Sequence, residues 1–209
     1  MDLPEHIRFL ELSQSPPLTL AADSLLTPEE AERQASFRSK GRRESFALGR
    51  YAARTLLGQA LNCEPGQVGI AILEDGSLIS PGAPWNLSIS HSGRFAAAAI
   101  SKSEIGLDLE IVKDRPDGVF RFVLHPDEVS LRDRIDLPKA HQLALFWTLK
   151  ESVLKAKRTG LRRSPKSLRL EIDLENGTAV IVGQRVWNAR FDMREDHVVA
   201  VSWLADNVL

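Results

Sequence analysis

The stretch Phe146–Leu161, FWTLKESVLKAKRTGL, decides how the rest of the chain is read. It holds no Gly or Pro before Gly160, so the spacing predicts a helix that follows Pro138 and stops at Gly160. At about 100° per residue, Leu145, Leu149, Val153 and Ala156 share one face, the side expected against a core. Trp147, Glu151, Lys155 and Arg158 follow one another on the opposite face at i, i+4 steps. An exposed Glu–Lys pair, contributing about 0.3–0.5 kcal/mol, accounts for that spacing by itself. It does not account for what lies upstream.

Upstream is the run Ile105–Ile111, in which Ile105, Leu107, Leu109 and Ile111 alternate with Gly106, Asp108 and Glu110. Alternation predicts a strand whose apolar side faces the core, with two carboxylates about 7 Å apart on the other side. An edge strand with its polar side in water would show the same pattern. Should Glu151 join Asp108 and Glu110 in one cleft, the three acids would repel unless a cation linked them, and hard carboxylate oxygens suit Mg2+. Before this strand, Asn86-Leu-Ser-Ile-Ser-His91-Ser-Gly reads as a half-buried strand with Leu87 and Ile89 inward, then a Ser92-Gly93 turn. Phe95–Ile100 is expected to be the return strand, although its small residues are poor strand formers.

In the first hundred residues, Ile7–Leu12 reads as a strand and Ser15-Pro16-Pro17 as a break. Thr27-Pro28-Glu29-Glu30 is a helix start, with Thr27 as N-cap and Glu30 reaching back as a capping box, and that helix is expected to reach Phe37. A second helix is expected over about Arg42–Leu61. Arg33, Arg38, Lys40, Arg42, Arg43, Arg50 and Arg54 face a single acid, Glu44, across this region. A solvated helix face or a site for a phosphorylated small molecule fits that excess, since Arg forks match phosphate oxygens. Val68–Leu73 and Leu78-Ile79 around Asp75-Gly76 read as strands.

Beyond the organising helix, Lys155, Lys157, Arg158, Arg162, Arg163 and Lys166 form a second basic run, either a solvated loop or a contact for an acidic macromolecule. Leu168, Leu170, Ile172 and Leu174 alternate with polar residues, Asn176-Gly177 signals a hairpin, and further strands fit Ala179–Val182, Arg185–Phe191 and His197–Leu204. The fold expected is α+β, built from two similar halves, residues 1–104 and 105–209, each a long helix on an antiparallel sheet. With 209 residues, 43% hydrophobic and 26% charged, the chain has an ordinary globular composition. A net charge of −1 and no helix-turn-helix pattern argue against nucleic acid, and no window approaches a membrane span. The single Cys63 excludes an intrachain disulfide or a cysteine metal cage, and the acidic N-terminus does not resemble a signal peptide. Cytoplasm is the compartment expected.

Three of these stretches, Asn86–Gly93, Gly106-Leu-Asp108-Leu-Glu110 and Trp147-Thr-Leu-Lys150-Glu151-Ser-Val-Leu-Lys155, resemble in order and spacing the signature motifs of the 4′-phosphopantetheinyl transferases. The length resembles the surfactin-synthetase-activating type, a monomeric pseudodimer, and Gly49-Arg50 with Arg54 resembles that type's first-half helix. The resemblance implies transfer of the 4′-phosphopantetheine arm of coenzyme A to a serine of an apo acyl or peptidyl carrier protein, with release of 3′,5′-ADP. It implies an active site in the cleft between the halves, coenzyme A on the first half's side and the metal and catalytic helix on the second. Residue by residue, Asp108, Glu110 and Glu151 match the Mg2+ ligands, and Ser90, His91 and Arg50, with Arg43, match positions that bind coenzyme A phosphates. Lys155 matches the pyrophosphate lysine, and Glu151 the group that takes the serine proton, directly or through a metal-bound water. Ser77 stands where many members carry a lysine, and Arg158-Thr159 replaces a glycine-containing pair. A coenzyme A-binding protein without transferase activity and a Mg2+-dependent phosphohydrolase are the rival readings; the presence of Asp108, Glu110 and Glu151 together favours catalysis.

Overall fold

Two five-stranded antiparallel sheets are each organised by pairing a first strand with a last. The computed structural model describes residues 1–116 and 118–205, and the chain divides into two compact units, Pro4–Lys102 and Ser103–Leu209 with Met1–Leu3. The first unit runs β1 (Ile7–Ser13), α1 (Pro16–Asp23), α2 (Pro28–Ala35), α3 (Lys40–Leu61), β2 (Ala71–Ile72), β3 (Leu78–Ile79), β4 (Asn86–Ser92) and β5 (Phe95–Ser101). The second runs β6 (Ile105–Ile111), α4 (Gly118–Val123), α5 (Val129–Arg134), α6 (Lys139–Ala156), β7 (Arg169–Asp173), β8 (Thr178–Val182), β9 (Val186–Met193) and β10 (His197–Leu204). The strand orders, β1-β5-β4-β3-β2 and β6-β10-β9-β8-β7, are the same course traced twice. This is the α+β architecture expected from the pattern.

In the first unit, the Thr27 hydroxyl accepts from Glu30 N and the Glu30 carboxylate accepts from Thr27 N, so the expected capping box is present. Ser39 caps α3 by accepting from Arg42 N. Ala52, Ala53, Leu56 and Leu57 of α3 pack on Ala98 and Ile100 of β5 and on Leu87. The four small residues of β5 are explained by position. Ala96–Ala99 are wholly buried between β1 and β4, so closeness to neighbours outweighs intrinsic strand preference. Three expectations change here. Pro16-Pro17 does not break the chain but opens α1, where proline's fixed φ suits the first turn. The helix α2 ends at Ala35 rather than Phe37, and only Ala71–Ile72 of the expected Val68–Leu73 strand is paired.

In the second unit, α6 follows Pro138 as expected but ends at Ala156, four residues before Gly160. The stop is made by Arg158, left-handed at φ 54°, with Arg158 N donating to Lys155 O and Thr159 N to Leu154 O. That is a Schellman cap in which an arginine takes the place usually given to glycine, at about 1–2 kcal/mol. The two-faced wheel is also revised: Phe146, Thr148, Lys150, Ser152 and Leu154 are buried beside Leu145, Leu149 and Val153. The apolar part of this helix packs on Trp187, Ile181, Val198, Ala200, Leu168 and Leu170.

The largest revision concerns β6. A Cβ added to Gly106 would lie 1.8 Å from Ser152 O and 2.5 Å from Ala156 N. The helix α6 therefore rests on the Gly106–Asp108–Glu110 side of the strand, opposite the apolar side expected against the core, and Leu107 and Leu109 are buried as well, so both sides are covered. On the same side, β10 sets Ser202, Ala200 and Val198 opposite Gly106, Asp108 and Glu110. Among the described residues no helix is long and apolar enough to cross a membrane.

Gly106→Ala is expected to lower stability by at least about 1–3 kcal/mol, because a backbone carbonyl rather than a flexible side chain must move. Urea denaturation should show an earlier midpoint with an unchanged slope.

Candidate active site

The seat of α6 on Gly106 brings side chains from helix and strand together. Asp108 is 5% exposed, and Lys155 Nζ donates to its Oδ1 at 2.7 Å. Glu151, one turn earlier on α6, is buried, and its Oε1 has no hydrogen-bond partner among the described residues. Burial, then the charge of Asp108, push the Glu151 carboxyl up to about 7; Lys155 pulls it down and Glu110 adds to the rise. Glu110 is half-buried with Arg115 Nη2 at 3.3 Å from its Oε2. Asp108, Glu110, Glu151 and Lys155 thus form one electrostatic group, as their spacing in sequence suggested. The partner observed for Lys155 is Asp108 across the strand, not only a helix neighbour.

As a donor set for a cation this group has the right chemistry, three carboxylates of which Asp108 and Glu110 raise the cost of ionising Glu151, and one buried Glu151 oxygen with no hydrogen-bond partner among the described residues. The side chains as they stand are engaged by Lys155 and Arg115, and among the described residues no three His, Cys, Asp or Glu side chains are arranged as a metal site.

The expected phosphate-binding residues lie in the first unit. Ser90 is buried on β4 and His91 half-buried beside it; His91 Nδ1 lies 3.3 Å from the Ser45 hydroxyl of α3. Gly49 permits this approach, since a Cβ there would meet Ile89 Cγ2 at 2.7 Å. Arg50 is turned inward: it is 4% exposed, with Nε 3.4 Å from Glu30 Oε1 and with Nη1 lacking a hydrogen-bond partner among the described residues. Arg54 Nη2 reaches Glu30 Oε2 at 2.8 Å and its Nε donates to Val68 O. Two of the seven arginines and lysines of the basic run are therefore core ion-pair partners rather than surface charge. Arg43 Nη1 donates to Phe37 O at 2.8 Å and Arg38 O at 3.3 Å, holding the turn between α2 and α3.

Sequence reasoning missed one cluster outright. Lys150 is wholly buried and its Nζ donates to Glu128 Oε2 at 2.6 Å and to Val123 O at 2.8 Å. Glu128, 1% exposed, also accepts from His125 N and Leu170 N, both at 2.7 Å. The signal was present: Lys150 stands between Phe146 and Leu154 at i, i+4 steps, an ammonium in an apolar row. Such a row buries a lysine only when a carboxylate meets it.

A model of the 4′-phosphopantetheinyl transferase superfamily matches residues 104–202. Over 149 residues the chain is 34% identical to 4′-phosphopantetheinyl transferase HetI of Nostoc sp. (strain PCC 7120), covering 66% of this chain and 62% of that protein. Over 155 residues it is 30% identical to 4′-phosphopantetheinyl transferase ffp of Bacillus subtilis, covering 66% of this chain and 68% of the relative. Over 142 residues it is 27% identical to 4′-phosphopantetheinyl transferase Sfp of Bacillus subtilis (strain 168), covering 66% and 62%. The chain thus spans somewhat under two thirds of the length of HetI and Sfp.

The raised carboxyl makes a pH prediction. Between the ordinary glutamate value of 4.5 and about 7, the folded protein holds a proton on Glu151 that the unfolded chain releases. Glu151 therefore favours the folded state fully below 4.5, and that support is lost as pH rises through 7. In chelator, Glu151→Gln should gain stability relative to wild type between pH 5 and pH 8, by on the order of 2 kcal/mol, in denaturation series across that range.

Proposed function

The chain belongs to the 4′-phosphopantetheinyl transferase superfamily, and from that premise we propose that it transfers the 4′-phosphopantetheine arm of coenzyme A to a serine of an apo acyl or peptidyl carrier protein. The observation that carries this reading is the gathering of Asp108, Glu110, Glu151 and Lys155 where α6 rests on β6. In the reaction proposed, the serine oxygen bonds to the β-phosphorus of coenzyme A, the bond from that phosphorus to the bridging pyrophosphate oxygen breaks, and 3′,5′-ADP leaves with that oxygen.

Asp108, Glu110 and Glu151 would hold Mg2+, which would neutralise pyrophosphate charge when bound. Lys155 would turn from Asp108 to the pyrophosphate and offset charge on the leaving oxygen. Glu151 would take the serine proton, directly or through a water. In the first unit, Ser90, His91, Arg43 and Arg50 would bind the phosphates of coenzyme A; the Nη1 of Arg50, without a hydrogen-bond partner among the described residues, supports that part. The one cysteine, Cys63, which is unpaired, supports a reducing compartment such as the cytoplasm, and we take the protein to act as a monomer. A phosphohydrolase using water would draw on the same acids, but the match to transferases through both β6 and α6 favours the carrier serine as nucleophile.

Glu151→Gln and Lys155→Met are each expected to cut release of 3′,5′-ADP, in the presence of coenzyme A, Mg2+ and an apo carrier, by at least about 100-fold. Near-normal release from both variants would reduce this helix face to a structural ion-pair surface. Arg50→Ala should weaken coenzyme A more than 3′-dephospho-coenzyme A in calorimetric titrations. Equal losses would assign Arg50 to its pairing with Glu30 alone.

A further inference from the structure

The buried pair Lys150–Glu128 is used by nothing in the reaction proposed. It joins four pieces of the second unit. Lys150 belongs to α6, Val123 ends α4, Glu128 belongs to the single turn Pro126–Glu128, and Leu170 lies on β7. Each junction is a short directional bond: 2.6 Å from Lys150 Nζ to Glu128 Oε2, 2.8 Å to Val123 O, and 2.7 Å from Leu170 N to Glu128 Oε1.

An apolar side chain at 150 would fill this space between Phe146 and Leu154 without fixing the helix about its axis. A charge pair of this kind is weak evidence for stability but supplies orientation, because only one rotation and one register satisfy it. The next residue along the helix, about 100° round, is Glu151. Its carboxyl is buried beside Asp108, which Lys155 of the same helix reaches at 2.7 Å, so the rotation of α6 decides whether these groups meet. At Gly106, Ser152 O and Ala156 N lie against the strand with no side chain between to key the helix in one rotation. That rotation must be fixed from elsewhere.

We infer that Lys150 and Glu128 are positioning residues, a counter-anchor that holds α6 in the one setting where Glu151 meets Asp108 and Glu110. The inference rests on the transferase reading for its kinetic consequence and on the carboxylate group alone for its cation consequence. Neither residue needs to touch substrate. The anchor acts through the helix, and its loss shows as misplacement of Glu151, where small displacements are amplified in rate.

Lys150→Met and Glu128→Asp test it; the second keeps the charge and shortens the reach, so it is informative even if the first does not fold. Circular dichroism gives the folded fraction, turnover with coenzyme A and an apo carrier gives kcat and KM, and electron paramagnetic resonance gives the affinity for Mn2+ as a visible hard cation. Per folded molecule, kcat should fall about 10- to 100-fold and Mn2+ affinity by a similar factor, with KM for coenzyme A within about twofold. Values of kcat and Mn2+ affinity within about twofold of wild type in the folded variants would overturn the inference and leave the pair a packing element. Were the wild type to bind Mn2+ but transfer nothing, the transferase reading would fall, and the Mn2+ comparison would still decide the anchor.

Discussion

One close contact governs the second unit: α6 lies directly on β6 at Gly106, where no side chain intervenes between strand and helix. Any larger residue would lift the helix by the thickness of a methyl group or more. The contact explains why Asp108, on the same side of the strand two residues on, is 5% exposed and within reach of Lys155 from the helix. It also explains why Glu151 is pressed into a space already holding negative charge. Packing here creates the electrostatics.

The first unit follows the same logic with different chemistry. Gly49 on α3 lets helix and strand approach at Ile89, and the approach places Ser45 against His91. Glu30 takes part both in the capping box of α2 and in the pairing of Arg50 and Arg54, so one acid starts a helix and is shared by two buried cations. Both units therefore join a long helix to a sheet through a glycine contact, along a chain course repeated twice. They differ in the charge buried there, arginines in the first and carboxylates in the second.

Much of this was legible in the sequence because it is local. The capping box at Thr27 and Glu30, the strand at Ile105–Ile111 and the helix after Pro138 all follow from residue spacing. What was not legible depends on which partner an element meets. Alternation along β6 could say that Asp108 and Glu110 share a side with Gly106, but not that a helix would cover that side. Counting cations could not distinguish Arg50 and Arg54, paired with Glu30, from surface charge, because their partner lies twenty or more residues away. The helix end was misplaced because glycine is the usual left-handed cap, and here Arg158 takes that conformation. Lys150 was visible as an ammonium in an apolar row, but its carboxylate partner Glu128 lies 22 residues earlier on another element, beyond the reach of local spacing.

Transfer of a phosphopantetheine arm, as against binding or hydrolysis of coenzyme A, is read in the intact mass of an apo carrier protein after incubation with the wild-type protein, coenzyme A and Mg2+. The carrier is expected to gain the mass of one phosphopantetheine arm, on serine, with one 3′,5′-ADP released per carrier modified. An unchanged carrier mass across a panel of acyl and peptidyl carriers, with coenzyme A either intact or hydrolysed, would contradict it.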